Sequence, residues 1–488
     1  MAAIASHLLE FPPEGTLSPD QYHSRIKSFI DSLSKTDPVK ILKADGQQDL
    51  LQVLDPGVNS ISYLFILSLR YKAFLNAKPQ SPEEARHILS LISGFMQVFD
   101  GVQMRYVGML FRDTVEFALN LAAQLGMTQQ IVNPLVAAIF RLDPSSGTLT
   151  STHLKLLRIC LAQRMYHEAL PVLQATIHSF PSPKFTAIEG QYPCSTHQDS
   201  SAYITEASGL SDKLTTYDVH EFFLLGGMIL IGLQRWEDAR LYLECVIISP
   251  SGGSPSIFQV EAYKKWVLVG CIIKGTLLEA PKATNQTVLR NVKSISRAYD
   301  TVVEVFQSGH AARLNAEIAA GNEIWHEDGN LGLIQLLVSR LPRFHILSMR
   351  DIYSAVPLTT VSSWLSIPPD TLHAFVEEMV SEGALNASID LDSSPDSGAV
   401  LRFYSNQATG PLAKSEKQYH AELLAQTQRT NAMAEYVKMS DRRLTLTKEY
   451  VEALRRRMKN KEGDQGMATT GEPLDETGGL DEDIMMDE

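Results

Sequence analysis

The sequence predicts a mainly α protein: a tetratricopeptide-like helical-repeat array, then a winged-helix module, then a long C-terminal helix. Three observations carry that expectation. Up to about residue 340, apolar residues recur at three- and four-residue steps with little strand-like alternation. An acid–alanine–leucine pattern returns through the same region. Beyond the module, Leu412–Glu462 contains no glycine or proline, the two residues least compatible with a helix interior.

The array comes first. Asp113–Leu125 places Val115, Leu119, Ala122 and Ala123 at helical steps, and Ile61–Leu75 and Leu154–Met165 carry the same amphipathic or fully buried stripe. The repeat reads Glu84, Ala85, Leu89; Glu168, Ala169, Leu173; Asp238, Ala239, Leu243. Its last two copies add an aromatic before the alanine (Tyr166, Trp236) and an isoleucine after it (Ile177, Ile247). A small alanine lets two helices approach closely while the aromatic and leucine fill the neighbouring groove, as in stacked helix pairs. A general helical bundle is the alternative. Pro181–Thr216, polar and interrupted by Pro181, Pro183 and Pro193, reads as a surface excursion, and Ser249–Ser256 as a flexible connection.

The module follows. Asn330–Leu341 presents Leu333, Ile334, Leu337, Val338 and Leu341 on one side, and Pro342 ends it. Phe344–Leu347 reads as a short strand. Ser348 and Asp351 form a capping-box-like start to a helix that buries Ile352. Val361, Trp364 and Leu365 mark another short helix. Ile367–Asp370 then starts a longer one that buries Leu372, Phe375, Val376, Met379 and Val380 and is capped by Gly383. Leu385–Leu391 and Val400–Tyr404 alternate as a hairpin around the polar turn Asp392–Gly398. The long helix would face outward with Asp370, Glu377, Glu378 and Glu382, and the turn adds Asp392 and Asp396. Neutralising phosphates supplies most sequence-independent affinity for nucleic acid, so an acidic face argues against that partner.

Through the last helix a heptad seam passes Leu423, Gln426, Thr430, Met433, Val437, Ser440, Leu444, Thr447, Val451, Leu454 and Met458. At roughly 1.5 to 3 kcal/mol for each apolar side chain buried, such a stripe demands a partner surface. That surface is either the chain's own array or a multi-chain helical bundle. Arg455–Arg457, Lys459 and Lys461 suit a helix C-terminus, whose dipole favours cations. The expected boundaries are 1–329 for the array, 330–408 for the module, 409–462 for the bundle helix and 463–488 for a disordered acidic tail.

Composition restricts function. The 488 residues are 44% hydrophobic and 20% charged, ordinary for a globular protein. Of the net charge of -13, nine negative charges lie in Gly463–Glu488, which has no basic residue, so the body is near neutral. Cys160, Cys194, Cys245 and Cys271 form no C-x-x-C pair and read as reduced thiols. Met1–Phe11 has no basic run before its apolar residues, and the longest apolar run, Phe222–Leu233, is too short to span a bilayer. There is no H-x-H or H-E-x-x-H; His167-Glu168, His220-Glu221 and His326-Glu327 each lack a second histidine one turn away. Phosphate-cradling glycine loops and a G-x-S-x-G elbow are also missing. No catalytic residue, metal or cofactor is expected.

Several stretches resemble PCI-domain proteins, the family shared by the proteasome lid, the signalosome and a translation initiation factor. They are Gly226-Gly227-Met228-Ile229 with Gly232-Leu233, Ala239, Tyr242 and Pro250; Glu261 to Val269 (EAYKKWVLV); Asn330-Leu331-Gly332-Leu333; Ser348-Met349-Arg350-Asp351; and Glu377 to Gly383 with Ala387-Ser388-Ile389. The match is dense from about His220 to Tyr404 and looks most like the signalosome members. Pro357–Asp370 and Pro181–Thr216 are longer than the family pattern. The resemblance implies a noncatalytic scaffold in a hetero-oligomer that removes NEDD8 from cullins, with the zinc isopeptidase on another subunit. It implies a cytoplasmic and nuclear location, other signalosome subunits as direct partners, cullin-RING ligases as indirect ones, and neither nucleic acid nor membrane. The wing around Leu401, Phe403 and Tyr404 would form a lateral joint. Leu423, Met433, Val437, Leu444, Val451, Leu454 and Met458 would enter a helical bundle. A proteasome-lid scaffold or a nucleic-acid-binding PCI protein is the alternative.

Overall fold

The computed structural model describes residues 2–456 except 14, 16, 48, 78–80, 184–191, 198, 252–253, 366, 391–398, 406–408, 446–449 and 453. The chain divides into two compact units, Met1–His345 and Ile346–Glu488.

The first unit is helical, and its helices begin where the chemistry of the N-terminus is right. The side chains of Ser18, Thr215 and Ser256 each accept from the amide three residues on, and their own backbone N–H groups donate to the side chain of that residue, opening the helices Pro19–Lys35, Thr216–Gly232 and Ile257–Lys274. The acid–alanine–leucine copies open the helices Pro82–Val98, Tyr166–Gln174 and Trp236–Ile248. Ala85, Ala169 and Ala239 are buried, as are Leu89, Leu173 and Leu243. The groove that receives the second and third copies is made of glycine. A methyl group added at Gly226 would stand 2.7 Å from Tyr242 Cδ1 and 2.9 Å from Leu173 Cδ2, and one at Gly227 would stand 2.9 Å from Leu243 Cδ2. The Tyr242 hydroxyl then donates to Leu173 O at 2.6 Å and fixes the ring in place. The EAYKKW stretch ties neighbouring helices by polar contacts: Tyr263 donates to Asp300 Oδ1 at 2.9 Å, Lys264 to Asp328 Oδ1 at 2.7 Å and Trp266 Nε1 to Glu244 Oε1 at 3.0 Å.

Pro181–Thr216 corrects the expectation of a surface excursion. Its described residues bury Tyr203, Ile204 and Leu210 in the core of the first unit. Tyr203 donates to Leu142 O at 3.0 Å, and the Arg105 guanidinium lies 3.6 Å from the centre of its ring. Arg105 also donates to Pro193 O at 2.7 Å, and Ser200 Oγ shares a hydrogen bond of 2.7 Å with Thr148 Oγ1. The serines make the segment look solvated, yet here they hydrogen-bond inward, which is what buried hydroxyls require. His153 is similarly enclosed, with Nε2 2.9 Å from Ser146 Oγ and Nδ1 2.7 Å from Thr150 Oγ1. Burial disfavours its charged form and pushes its pKa down to about 4.

Three further expectations fail around residue 345. The helix Leu331–Arg350 runs through Pro342, and Phe344–Leu347 is helical rather than extended. Pro342 has no N–H for the carbonyl four residues back, a cost this helix absorbs. Ile346 and Met349 are both buried, and their three-residue spacing suits one helix face, whereas strand alternation would turn them to opposite sides. The helix expected after Ser348 does not form. Asp351 and Ile352 sit in a turn, and Ile352 is 73% exposed.

The strand lies later, at Ala355–Pro357 (β1), followed by the helices Leu358–Leu365 and Pro369–Ser381. Gly383 has a φ of +73° and ends the second of these in the left-handed conformation that favours glycine. Ala387–Asp390 (β2) and Val400–Phe403 (β3) form the expected antiparallel pair, while the turn Asp392–Gly398 lies outside the described residues. The sheet order is β1-β3-β2, antiparallel throughout, over a core of Ile346, Val356, Val361, Leu372, Val376, Met379, Leu385 and Leu401.

Candidate assembly surfaces

The sheet has two edges, and they are chemically unequal. Leu358 N donates to Ala399 O and Phe403 N to Ser354 O, both at 2.8 Å, so alternate residues 354, 356 and 358 carry the β1 side of the ladder. Ala355 and Pro357 therefore turn their backbone outward, and Pro357 has no N–H to offer a further strand. On the other side Tyr404 N donates to Asn386 O at 2.9 Å, which places 386, 388 and 390 in the ladder. Ala387 and Ile389 turn outward on β2, with donors and acceptors intact. β2 is the edge suited to extension by another chain.

That geometry changes the roles expected of the wing residues. Leu401 and Phe403 lie on β3, the central strand, and both are buried in the module core. They hold the sheet together and cannot face a partner at its edge. Tyr404 is half-buried, and its hydroxyl lies 3.1 Å from Ser388 Oγ on β2. Arg402 Nε donates to Asp390 Oδ2 at 2.9 Å across the same pair and holds the Asp390 carboxyl below the usual carboxylate range.

Pattern reading missed exposed apolar residues on both sides of β1 in the chain. Ile352, Tyr353 and Trp364 are all exposed, and the Tyr353 and Trp364 rings lie 6.1 Å apart. Periodicity gave no warning, because Ile352 and Trp364 fit amphipathic helices on paper. The acidic residues Asp370, Glu377, Glu378 and Glu382 are exposed as expected. A cleft of about 720 Å³ is lined by Arg350, Asn386, Tyr404, Leu412, Lys414 and Tyr419. Its cations already face carboxylates, with Arg350 3.3 Å from Asp351 and Lys414 2.6 Å from Glu422. Asn386 closes one wall by donating to Thr409 O at 2.9 Å and accepting from Leu412 N at 3.2 Å.

Apart from the half-buried Tyr419, the helix Glu416–Thr445 is exposed along its described length. The seam residues Leu423, Met433, Val437, Leu444, Val451 and Leu454 are 66%, 72%, 62%, 53%, 36% and 40% exposed. Met458 lies outside the described residues, as does the acidic tail. The stripe is thus displayed to solvent, the state in which it costs most.

Among the described residues no group of histidine, cysteine and carboxylate side chains could hold a metal ion, and no helix is long and apolar enough to cross a membrane. The four cysteines are free; burial pushes the Cys160 and Cys271 thiols up to about 12, which keeps them protonated and unreactive. His220 Nδ1 lies 3.1 Å from the capping Ser256 Oγ, a structural contact.

Known proteins agree with this architecture. Residues 23–288 match the family model described as COP9 signalosome complex subunit 3, N-terminal helical repeats. A COP9 signalosome complex subunit 3 from Emericella nidulans is 28% identical over 445 residues, covering 90% of this chain and 89% of the relative. Its namesake from Neurospora crassa is 27% identical, covering 92% and 91%, and that from Arabidopsis thaliana is 26% identical, covering 70% and 71%. A helical array matched over more than half the chain, continuing into a small sheet module and an exposed terminal helix, places this chain in the COP9 signalosome subunit 3 family.

Proposed function

We propose that this signalosome subunit is a noncatalytic scaffold, which supports removal of NEDD8 from the cullins of cullin-RING ubiquitin ligases by assembling with the other subunits. The observation that carries the reading is the terminal helix, whose apolar stripe stands in solvent along Glu416–Thr445. A helix of this kind gains stability only by joining other helices. Leu423, Met433, Val437, Leu444, Val451, Leu454 and Met458 are the residues that enter the bundle. The lateral joint falls to the outer edge of β2, at Ala387 and Ile389, with Leu401, Phe403 and Tyr404 supporting it from behind. In this reading residues 1–329 serve as the array, 330–408 as the joint, 409–462 as the bundle helix and 463–488 as an acidic tail, in a protein of cytoplasm and nucleus. The exposed acids of Pro369–Ser381 disfavour nucleic acid as the partner.

Truncation at Gly410 tests the proposal. The shortened chain should remain folded, by circular dichroism and a cooperative melt, and should fail to co-purify with the other subunits. Undiminished incorporation refutes the bundle role. The full chain purified alone should leave a NEDD8–cullin conjugate intact, and cleavage by it refutes the noncatalytic role.

A further inference from the structure

Late in the first unit, two helices carry a basic stripe. The chain has 56 acidic and 43 basic residues, yet residues 280–299 include Lys282, Arg290, Lys293 and Arg297 and no acid. Asn285 caps the helix Gln286–Ile295 by accepting from Thr287 N at 2.9 Å, and Val288, Leu289 and Val292 fix which face is buried. Gln286, Arg290 and Lys293, at four- and three-residue steps, share the face turned to solvent. Ile295 is exposed too, but it lies two residues on from Lys293 and so on another side of the helix, which leaves the stripe free of apolar side chains.

Arg297 follows four residues beyond Lys293 and opens the helix Arg297–Gln307 after the single turn residue Ser296. A cation there stands against the positive end of the helix dipole, and Ser296 gives that end no side-chain cap. Asp300, the acid of the same turn, is engaged by Tyr263, which donates to it at 2.9 Å; burial raises its pKa although Lys293 opposes the shift. All four cations are exposed, and none is ion-paired among the described residues. Glu304, two turns on from Arg297, bounds the stripe. Like charges three and four residues apart repel on a helix, so this arrangement is relieved when an anion arrives.

We infer that Arg290, Lys293 and Arg297 form a docking surface for a carboxylate-rich segment of another subunit. The inference rests on the scaffold reading proposed above. Charge complementarity selects the occupant, since Arg290 to Arg297 spans about 10 Å at the helical rise and suits a short run of acids. The stripe has no apolar residue to enter a bilayer and no aromatic ring on which a nucleic-acid base could stack. The net charge of -13 also repels a long polyanion, whereas a short acidic segment meets the cations without that penalty. Exposed ion pairs are individually weak, so the surface orients and selects a partner that is held elsewhere as well.

The test places a photo-crosslinking amino acid at Ser294, one helical turn from Arg290, in the full chain within the complex reassembled from all its subunits. It should link to another subunit, in a segment whose acids outnumber its bases. Arg290→Glu with Lys293→Glu should lower that link by roughly fivefold or more per incorporated chain, and changing two acids of the linked segment to lysine should restore it. Lys35→Glu with Lys40→Glu, which reverses exposed cations on other helices, should leave it unchanged. If the first double variant fails to melt like the parent, Arg290→Gln with Lys293→Gln replaces it and should lower the link by roughly twofold or more. No link, a link to a neutral or basic segment, a link only to residues 463–488, or a link indifferent to the reversal overturns the inference and leaves the scaffold reading standing. So does binding of a single-stranded RNA oligonucleotide or of phosphatidylserine vesicles by the full chain through the same cations. Failure of the unmodified chain to join the complex overturns the scaffold reading itself.

Discussion

Replacing Gly226 by alanine should destabilise the protein, against the ordinary preference of helices for alanine. Within the helix Thr216–Gly232 that preference alone favours alanine by roughly 0.5–1 kcal/mol. The new methyl would, however, stand 2.7 Å from two carbons of the Tyr242 ring and 2.9 Å from Leu173 Cδ2, distances a real side chain does not tolerate. The ring cannot swing aside cheaply, because its hydroxyl is held to Leu173 O at 2.6 Å. Overpacking of a filled core costs about 1–3 kcal/mol, so the net loss should be about 1–2 kcal/mol. Equilibrium urea unfolding of the full chain, followed by circular dichroism, measures it. In a Tyr242→Ala background the ring is gone and Leu173 Cδ2, the remaining contact at 2.9 Å, has space to move into, so Gly226→Ala should cost less than it does in the parent. The coupling between the two sites is then the measured quantity. A single Gly226→Ala chain more stable than the parent refutes the reasoning.

Other outcomes follow from the same geometry. His153 is held neutral in the fold with a pKa of about 4, below the 6.5 of the unfolded chain. Its contribution is therefore complete above pH 6.5 and is lost as the unfolded state takes up a proton, by about 2 kcal/mol at pH 5. Urea midpoints at pH 7 and 5 should diverge in the parent and diverge less in His153→Gln. Leu401→Ala should cost about 2–5 kcal/mol through a cavity in the module core, visible as a lowered thermal midpoint of the isolated chain. An unchanged midpoint with weakened assembly would return Leu401 to the interface. Ile389→Pro removes an outward N–H from the β2 edge, so the isolated chain should melt within a few degrees of the parent while its incorporation into the complex falls; incorporation at the parental level argues against a β2 joint.

The helical repeats were readable because their signal is local. Ala85, Ala169 and Ala239 mark helices by spacing alone, and each is buried where that spacing places it. In the module the last two helices and the hairpin were also readable, and so was the exposed seam through Leu423, Met433 and Val437. What failed depended on contacts distant in sequence. Phe344–Leu347 is too short for periodicity to separate strand from helix, and Pro342 biased the reading toward a break that the buried Ile346 and Met349 override. Leu401 and Phe403 alternate as wing residues should, but only the pairing of β1 with β3 shows that their strand is central. Without that pairing the hairpin looked like an edge. Tyr203 and Leu210 were hidden in a serine-rich stretch because composition averages over neighbours and burial does not.

That stretch also alters how the array should come apart. In a simple solenoid each repeat touches only its neighbours, so unfolding can begin at an end and travel inward. Here Tyr192 donates to Asp20 Oδ1 at 2.7 Å and its ring stacks on His23 at 4.4 Å, while Cys194 Sγ lies 3.3 Å from Pro19 O. The same stretch then reaches Leu142 through Tyr203 and Thr148 through Ser200. Helices near the N-terminus are thereby fastened to the middle of the array by a strap some 170 residues further along the chain. Amides in Pro19–Lys35 should exchange with solvent together with those around Leu142, as one cooperative block, and a proteolytic cut in the strap should loosen both ends at once.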